Sequence, residues 1–420
     1  MNRRPTLLVL LLVALWAAAG SALAADWPQW RGPARDGTLQ KFKVPQAWPK
    51  ELDRSWQVEV GLGHASPVVV GQRVYAFTRR DDEEVIGCFS LADGKEIWHQ
   101  SYPAPYKVNE AAAAHGKGPK STPAVADGRV YTLGISGILS CWDAEKGTRR
   151  WQKVFSKQFK QTSPAFGTET SPLIDGDKCI VFVGGPGQGA LMALDAQSGE
   201  TKWSWDGDGP GYASPVIGVF SDVRQIVTQS QTACIGVDEE TGALLWKIPF
   251  TTDYEQNIVT PVLYDESVIF SGYNKGVGRY RVEKQGDDWR TDEMWVNKEV
   301  SLHMSSPVTS GERLFGFSHR QKGQLFALDM TTGKTLWVDK PRLADNAAIV
   351  RTGSVLWALI SSGDLIVYRD SEKQFEQLAR YKVSDTPTWA TPVISSSRIL
   401  VKDESRLTLW RLETAPKVAE

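Results

Sequence analysis

Apolar residues along this chain come in short runs that are rich in β-branched, aromatic and leucine side chains. Turn-forming glycine, aspartate and proline residues separate the runs at regular intervals. One unit shows the plan clearly, with runs at 123–126, 130–133, 138–143 and 149–154 and an Asp127-Gly128 turn between the first two. Runs of this length between regular turns predict short antiparallel strands, four to a unit.

Two short phrases recur along the chain and define its units. The first is Ser/Thr-Pro, which begins at Ser66, Thr122, Ser171, Ser214, Thr260, Ser306 and Thr391, with a degenerate unit near Ala347. The second is Asp-x-x-x-Gly-x-x-x-Trp, which occurs at 143–151, 195–203, 238–246 and 329–337, with a looser copy joining Gly94 to Trp98. Repeats of about 45 residues with four short strands are typical of propeller blades. Eight units therefore predict an all-β, eight-bladed β-propeller.

Each part of the second phrase has a predicted structural task. The aspartate accepts hydrogen bonds from backbone N–H groups two or three residues on, and the glycine adopts the positive φ that closes the turn. The tryptophan lies on the outer strand, where it buries a large face against the next blade and finds a partner for its indole N–H. Outer-strand aromatic residues are expected at Trp56, Trp98, Trp151, Trp203, Trp246, Trp295, Trp337 and Tyr381.

The two ends of the repeat region complement one another. Residues 55–60, which include Trp56, have the pattern of an outer strand but precede the first Ser-Pro. The last unit, 391–412, has inner strands but no outer strand of its own. The N-terminal strand is therefore expected to close the ring onto the C-terminal blade, which removes an exposed sheet edge.

The first 25 residues have the pattern of a cleaved signal peptide. Arg3 and Arg4 form a basic start, residues 7–19 are apolar, and Ala22-Leu23-Ala24 is a small-residue cleavage site, with no cysteine directly after it. The expected domain plan is a signal peptide (1–25), an N-terminal extension (26–54), one propeller (55–412) and a tail (413–420). This predicts a periplasmic or secreted protein without a transmembrane segment after cleavage, and leaves Sec and twin-arginine export as alternatives.

Charge and cysteine content narrow the class of function. The chain has 48 basic and 49 acidic residues. It therefore lacks the excess of positive charge that is typical of a nucleic-acid-binding protein.

Four cysteines lie in apolar runs, and buried free thiols are expected, with a disulfide as the alternative. We expect a monomer.

Residues 193–203 and 236–246 resemble the repeat of the pyrroloquinoline quinone (PQQ)-like, or quinoprotein, propeller family. The opening Asp26-Trp27-Pro28-Gln29-Trp30-Arg31-Gly32-Pro33 resembles the leader of secreted bacterial propellers in that superfamily. The resemblance covers essentially the whole mature chain and implies the propeller fold. It implies either a dehydrogenase or a non-catalytic scaffold, the latter similar to the propeller lipoprotein of outer-membrane barrel assembly but without a lipid-anchor cysteine.

Candidate ligand-binding residues lie in the loops that lead into the innermost strand of each blade, here called the inner loops. The residues two before each Ser/Thr-Pro are His64, Lys120, Glu169, Tyr212, Ile258, Met304, Asp345 and Trp389, with the register uncertain by one in the seventh unit. Nearby candidates are Asn257 and His303, and His115 and Lys117 in the long loop 103–120. Convergent polar groups above a funnel indicate a small-molecule site. The alternative is that eight polar loops meet at the axis of any propeller.

Two functions remain open on this basis. The favoured one is a non-catalytic binding or scaffold propeller that presents its funnel to a protein, peptide, glycan or small molecule. The alternative is a PQQ- and calcium-dependent oxidoreductase, for which the resemblance implies adjacent cysteines, a stacking tryptophan and a Glu–Asn–Asp calcium set. No two cysteines are adjacent here, and Trp389 and Glu169 are single matches. Glu169, Asn257 and Asp345 offer the oxygen ligands that calcium prefers, without a spacing that tests them, and no catalytic residue is assigned.

Overall fold

The computed structural model describes residues 26–40 and 42–412 and contains eight antiparallel sheets. Seven of the sheets have four strands, and the sheet of blade 7 has an additional N-terminal strand. Apart from the closing blade, the four strands of each blade follow one another in the chain. This confirms the predicted all-β, eight-bladed propeller. The predicted signal peptide and C-terminal tail lie outside the described residues. Within the described part of the chain, no helix is long and apolar enough to cross a bilayer.

The strands of the first four blades run from the inner to the outer edge. Blade 1 contains Val68–Val70, Arg73–Arg80, Glu83–Ser90 and Glu96–Pro103; blade 2 contains Ala124–Ala126, Arg129–Leu133, Ile138–Asp143 and Arg149–Val154; blade 3 contains Leu173–Asp175, Lys178–Gly185, Gln188–Asp195 and Thr201–Trp205; blade 4 contains Val216–Phe220, Val223–Gln229, Ala233–Asp238 and Leu244–Pro249. Two short 3-10 helices, Glu110–His115 and Phe155–Lys157, lie in the connections.

The remaining blades vary more in strand length. Blade 5 contains Val262–Leu263, Ser267–Gly272, Gly276–Gln285 and Asp288–Asn297; blade 6 contains Val308–Ser310, Arg313–Ser318, Gln324–Asp329 and Thr335–Val338; blade 7 contains Ala347–Thr352, Val355–Ile360, Asp364–Arg369 and Gln377–Lys382; blade 8 contains Val393–Ser395, Arg398–Lys402 and Arg406–Arg411. Further 3-10 helices are Asp253–Glu255 and Arg320–Lys322.

An N-terminal strand closes the ring, as predicted. Asp53–Glu59 pairs antiparallel with Arg406–Arg411 and supplies the outer strand of blade 8. A second N-terminal strand, Thr38–Leu39, pairs in parallel with the innermost strand of blade 7. The first and last parts of the propeller are thus held together by a continuous ladder of backbone hydrogen bonds, and the ring has no open edge at this seam.

Neighbouring blades are joined by contacts between the repeated tryptophans and glycines, here called Trp–Gly contacts. The indoles of five outer-strand tryptophans cover the turn glycine of the next blade; the pairs are Trp56–Gly94, Trp98–Gly147, Trp151–Gly199, Trp203–Gly242 and Trp295–Gly333. The glycines have φ of 72° to 76°, and a Cβ would lie 2.5–2.9 Å from the indole. Only glycine combines this backbone with so close an approach.

The indole N–H groups add a polar link to most of these contacts. Trp56, Trp151, Trp203, Trp295 and Trp337 each donate to a backbone carbonyl of the following blade at 2.9–3.2 Å. Trp246 differs, because its indole donates to Gln225 of its own blade at 2.6 Å. Blade 5 lacks the Asp-x-x-x-Gly-x-x-x-Trp turn that would receive this indole. The outer strand of blade 4 instead contacts the long hairpin of blade 5, formed by Gly276–Gln285 and Asp288–Asn297.

A ring of hydroxyl groups joins the blades at the inner edge and explains the repeated Ser/Thr-Pro. The backbone N–H of this serine or threonine donates to the hydroxyl of its counterpart in the next blade at 2.8–3.2 Å. The observed donor–acceptor pairs are Ser66–Thr122, Thr122–Ser171, Ser171–Ser214, Thr260–Ser306 and Thr391–Ser66. These bonds fix the start of the innermost strands directly below the inner loops.

Residues 26–40 lie inside the channel and form a segment that we call the axial plug. Its backbone bonds to the innermost strands of three blades, at Val69 of blade 1, Val125 of blade 2 and Arg351 of blade 7. Two plug arginines, Arg31 and Arg35, are each 4% exposed. Arg31 donates to a carbonyl of blade 6, and Arg35 donates to two carbonyls of blade 3. Burial lowers the pKa of Arg35 to about 9, so the guanidinium stays charged at neutral pH.

The four cysteines are buried free thiols inside the strands. Burial raises the pKa of the Cys141 thiol to about 12. The thiolate, which is the reactive form, is therefore disfavoured at this position.

We predict that Trp203→Ala lowers the free energy of unfolding by about 3–5 kcal/mol, as expected for loss of a buried large aromatic side chain. Trp203 is 7% exposed and also loses its 3.0 Å bond to the Glu239 carbonyl. Urea denaturation measures the change. Trp289→Ala is the control, because Trp289 is half-buried on the outer hairpin of blade 5. A near-neutral Trp203→Ala would contradict its role in joining blades 3 and 4.

Glycine substitutions isolate the Trp–Gly contact itself. Gly242 and Gly286 both have positive φ, but a Cβ at Gly242 meets the Trp203 ring at 2.5 Å, whereas none of the described atoms lies within 4 Å of a Cβ at Gly286. Gly286→Ala should cost about 1–2 kcal/mol of backbone strain. Gly242→Ala should cost about 1–3 kcal/mol more through overpacking. A double-mutant cycle should show that this excess disappears in a Trp203→Ala background. Additive effects would mean that the ring does not cause it.

Candidate ligand site in the axial funnel

Each blade contributes one inner-loop side chain to a cavity on the propeller axis, which we call the axial cavity. Its volume is about 110 Å³. The contributing residues, in blade order, are His64, Lys120, Glu169, Tyr212, Ile258, Met304, Asn346 and Trp389. Seven of these eight positions are the residues that the spacing to Ser/Thr-Pro predicts. The cavity opens into a side cleft of about 340 Å³, which shares six of its lining residues and also includes His303.

The seventh position is Asn346 instead of Asp345. Blade 7 lacks Ser/Thr-Pro, and its innermost strand begins at Ala347, so the residue that faces the axis is one position later than expected. Asn346 is 5% exposed and lines the axial cavity. Asp345 is exposed and lines an outer groove of about 630 Å³, which also contains Glu404 and shares His64, His115, Met304 and Trp389 with the axial cavity.

An ion pair lies at the wall formed by blades 2 and 3. The Lys120 ammonium donates to Glu169 Oε1 at 2.6 Å and to the Phe166 carbonyl at 2.9 Å. Tyr212 stands beside it, and its hydroxyl accepts from the Phe166 N–H at 3.3 Å. Burial and the neighbouring Glu169 raise the Tyr212 pKa, so the phenol keeps its proton. The opposite charges of Lys120 and Glu169 compensate each other, and Glu169 and Tyr212 both line the axial cavity.

Three aromatic rings form the adjoining wall, beside blades 8 and 1. The His115 and Trp389 rings lie 4.6 Å apart in an edge-to-face arrangement, and His64 Nε2 contacts the His115 carbonyl at 3.0 Å. Burial, with the nearby charge of Lys402, lowers the pKa of His64 to about 3. Burial also lowers the pKa of His115. Both imidazoles are therefore neutral at neutral pH.

The long loop 103–120 carries His115 to the axis. Arg79, 2% exposed, donates to the Ala104 carbonyl at 2.9 Å and to the Lys117 carbonyl at 3.5 Å, holding both ends of the loop. At the far end, a Cβ at Gly118 would lie 2.4 Å from Gly63 Cα, so glycine is required there. The 3-10 helix Glu110–His115 then covers one side of the side cleft. The Lys117 side chain is exposed and does not reach these cavities.

His303 belongs to a second aromatic group beside the side cleft. Its Nε2 lies 2.7 Å from Gln256 Oε1, and its ring lies 4.8 Å from Tyr273, which stacks on His319 at 4.6 Å. Burial lowers the pKa of His303 to about 4, so it too is neutral at neutral pH.

Asn257 is structural, contrary to its selection as a funnel residue. Its side-chain amide donates to the carbonyls of Ser230, Gln231 and Phe250 at 2.8–3.1 Å, and the residue is fully buried. It lies next to the axis-facing Ile258 in an extended segment, where neighbouring side chains point in opposite directions. The glycine-rich loop 184–189 closes a hairpin of blade 3 that packs on blade 4 through Gln231.

Trp30 is a site residue that the spacing rule does not identify. It belongs to the axial plug, lines the axial cavity, and donates from Nε1 to Thr260 Oγ1 at 3.1 Å. Since the plug bonds to residues farther along the inner strands than the inner loops, Trp30 forms the floor of the cavity. Its only signal in the sequence is the opening Asp-Trp-Pro-Gln-Trp-Arg-Gly-Pro motif.

The residues present do not fit PQQ with calcium. Of the suggested calcium set, Glu169 is paired with Lys120, the Asn257 amide is committed to backbone carbonyls, and Asp345 lies in the outer groove. PQQ carries three carboxylates. Among the described residues, Lys120 is the one lysine or arginine that lines the axial cavity, and Glu169 already neutralises it. Burying further unpaired carboxylates there would be costly.

Fold and site together define an eight-bladed PQQ-like propeller with an axial funnel above a plugged channel. The family model described as "Outer membrane protein assembly factor BamB" matches residues 81–339, and the chain belongs to this family. It is 24% identical over 235 residues to BamB of Shewanella oneidensis. This match covers 52% of this chain and 56% of that relative, so the chain spans little more than half of its length. It is 22% identical over 370 residues to BamB of Yersinia pestis, covering 83% of this chain and 86% of that protein.

Solved structures show the same fold. The crystal structure of BamB from Moraxella catarrhalis aligns with a TM-score of 0.59 at 18% identity, covering 86% of this chain and 99% of that one. The quinohemoprotein alcohol dehydrogenase ADHIIG from Pseudomonas putida HK5 aligns with a TM-score of 0.68 at 14% identity, covering 94% of this chain and 81% of that one. At these identities the likeness concerns the fold alone.

Buried His64 should make the stability depend on pH. The unfolded chain takes up a proton near pH 6.5, whereas His64 in the folded state resists protonation until about pH 3. The stability is therefore fully present above pH 6.5 and is lost as the pH falls towards 3, with a limiting slope of about 1.4 kcal/mol per pH unit. His64→Gln should reduce the slope of the unfolding free energy between pH 6.5 and 4.5.

The matched control is His99→Gln. His99 is an exposed histidine on the outer strand of blade 1, where it contacts Glu96. Denaturant titrations at each pH should show little change of slope for this variant. Equal slopes for wild type and His64→Gln would show that His64 does not stay neutral in the folded protein. Both variants keep the neighbouring groups whose charges oppose protonation of His64, namely Lys402, Lys120 and His115.

Proposed function

We propose that this protein is an exported binding or scaffold propeller whose ligand occupies the axial funnel. The observation that carries the proposal is the convergence of eight different side chains from equivalent loop positions on one cavity. Repeated residues join the blades, whereas these positions vary in chemistry from blade to blade. A set of unlike groups around a concave surface is typical of a binding site.

The rigidity of the site supports binding without large rearrangement. Seven of the eight inner loops lead directly into a residue of the hydroxyl ring, just before the innermost strand begins, and Lys120, Tyr212 and His64 have fixed partners. A preorganised site loses less conformational entropy when a ligand binds. No step of the proposed function requires a reacting group, and we assign no catalytic residue.

The relatives' name supports a role in the cell envelope. Those proteins are described as outer membrane protein assembly factors, and the same role would give this chain a protein partner there. The leader pattern in residues 1–25 agrees with a periplasmic or secreted location. A protein or peptide segment would then be the occupant of the funnel, or would contact its rim while a smaller ligand occupies the cavity.

The alternative function is a PQQ- and calcium-dependent oxidoreductase, a class whose quinohemoprotein alcohol dehydrogenases share this fold. The disposition of Glu169, Asn257 and Asp345 argues against it, as described above. In a dehydrogenase of this kind the cofactor would supply the redox chemistry, and this chain would contribute the walls of the funnel.

Thermal unfolding with small-molecule probes tests the proposal. We expect at least one of cellobiose, trialanine and PQQ with calcium chloride to raise the unfolding midpoint of wild type, because a ligand that binds only the folded state stabilises it. Trp389→Ala should abolish the shift, and Trp289→Ala, the same substitution outside the funnel, should retain it. Failure of all three probes, or an equal shift with Trp389→Ala, would contradict a funnel site. A shift and an absorption change with PQQ and calcium alone would favour the oxidoreductase.

A further inference from the structure

We propose that the axial funnel binds a neutral saccharide, with one sugar ring packed between Trp30 and Trp389. This inference rests on the proposed function and specifies the chemical class of the ligand. Three independent features of the cavity carry it: its balanced charge, its two accessible indole rings, and its mixture of unpaired donors and acceptors.

The charges that line the axial cavity cancel. Lys120 and Glu169 are paired at 2.6 Å, with side chains 11% and 21% exposed. Burial keeps His64, His115 and His303 neutral at neutral pH. A ligand with a net charge would enter a confined space whose described lining residues offer no free counter-charge, and burying an unpaired charge is expensive. The cavity therefore favours a neutral ligand.

Two half-buried tryptophans present ring surface to the same cavity. Trp30 forms its floor, and Trp389 forms its wall beside His115. A pyranose ring has faces of C–H groups, which carry partial positive charge and pack against the negative face of an aromatic ring. Tyr212 and Ile258 complete the apolar part of the lining. A sugar ring combines this flat apolar face with a polar edge.

The polar groups without a protein partner include both donors and acceptors. The Trp389 indole N–H has no hydrogen-bond partner among the described residues, and Glu169 is bonded there through Oε1 alone. Asn346 is only 5% exposed, and its side-chain amide offers a donor and an acceptor to the cavity. Leaving such groups unpaired costs free energy. A hydroxyl both donates and accepts, so a polyhydroxylated ligand suits this set without introducing charge.

The geometry favours binding over hydrolysis of a saccharide. Glycoside hydrolysis normally requires two carboxyl groups that flank the scissile bond about 5–9.5 Å apart. Among the described residues, Glu169 is the one carboxylate that lines the axial cavity or the side cleft. The side cleft has a volume of about 340 Å³. This volume lies at the small end of the range typical of small-molecule sites. It suits a second sugar unit extending from the axis towards His303.

Calorimetric titration with neutral and charged sugars tests whether the funnel prefers an uncharged ligand. Cellobiose and N,N′-diacetylchitobiose are the neutral probes, glucosamine and glucuronic acid are the charged ones, and trialanine is the peptide probe. We expect a neutral disaccharide to bind wild type at least about tenfold more tightly than any charged probe. Trp389→Ala should weaken that binding by at least about tenfold, whereas Trp289→Ala should leave it unchanged.

Two reciprocal substitutions separate charge selection from structural damage. Glu169→Gln leaves the Lys120 charge without its partner and should increase the affinity for glucuronic acid relative to cellobiose. Lys120→Met leaves the Glu169 charge and should do the same for glucosamine. Circular dichroism and the unfolding midpoint establish that each variant is folded. A loss of all binding by general damage cannot produce these opposite preferences.

The outcomes distinguish the two levels of the argument. If trialanine or a charged sugar binds best and Trp389→Ala abolishes that binding, the funnel is a ligand site and the saccharide inference is wrong. If no probe shows binding that depends on Trp389, both the proposed ligand site in the funnel and the saccharide inference are wrong. If neutral disaccharides bind but the reciprocal substitutions do not alter the preference, charge balance does not select the ligand and the inference as argued fails.

Discussion

The packing of one blade's tryptophan on the next blade's glycine is the contact on which the rest of the molecule depends. A single four-stranded blade buries little surface by itself, and the repeated contacts add a docking surface at successive boundaries. At the seam, Trp56 covers Gly94 while its strand completes blade 8, so ring closure uses the same chemistry as the internal boundaries. The positions of the eight inner loops follow from this closed geometry. Any function of the funnel therefore depends on residues far out on the rim.

Structural and axis-facing positions lie close together within the repeats. The Ser/Thr hydroxyls link neighbouring blades at 2.8–3.2 Å, and the residue two positions earlier faces the axis. Thr122 and Lys120 illustrate the arrangement: the first is fixed by blade 3, and the second reaches Glu169 of the same blade. Anchoring the strand start limits the freedom of the adjacent loop. A ligand site can therefore vary in chemistry while the framework beneath it remains constant.

The sequence allowed the fold, ring closure and most of the axial residues to be predicted, because all three follow from local spacing. The seventh blade departed from the rule where Ser/Thr-Pro is absent, which moved the axial position from Asp345 to Asn346. Asn257 was misplaced because spacing alone does not determine which side of an extended segment faces the axis. The contact of Trp30 with Thr260, 230 residues away in the chain, leaves no periodic trace. Contacts of that kind require the folded ring.

The axial plug connects the fold to the chemistry of the site. Its backbone bonds to blades 1, 2 and 7, and it places a tryptophan below the inner loops while leaving the funnel open on the side of the loops. The buried Arg31 and Arg35 hold it there through carbonyl groups of blades 6 and 3. A propeller fold is shared with proteins described as assembly factors and as alcohol dehydrogenases. The funnel of this chain contains one compensated ion pair, neutral imidazoles and two indole surfaces, and this combination suits the proposed uncharged ligand better than an anionic cofactor.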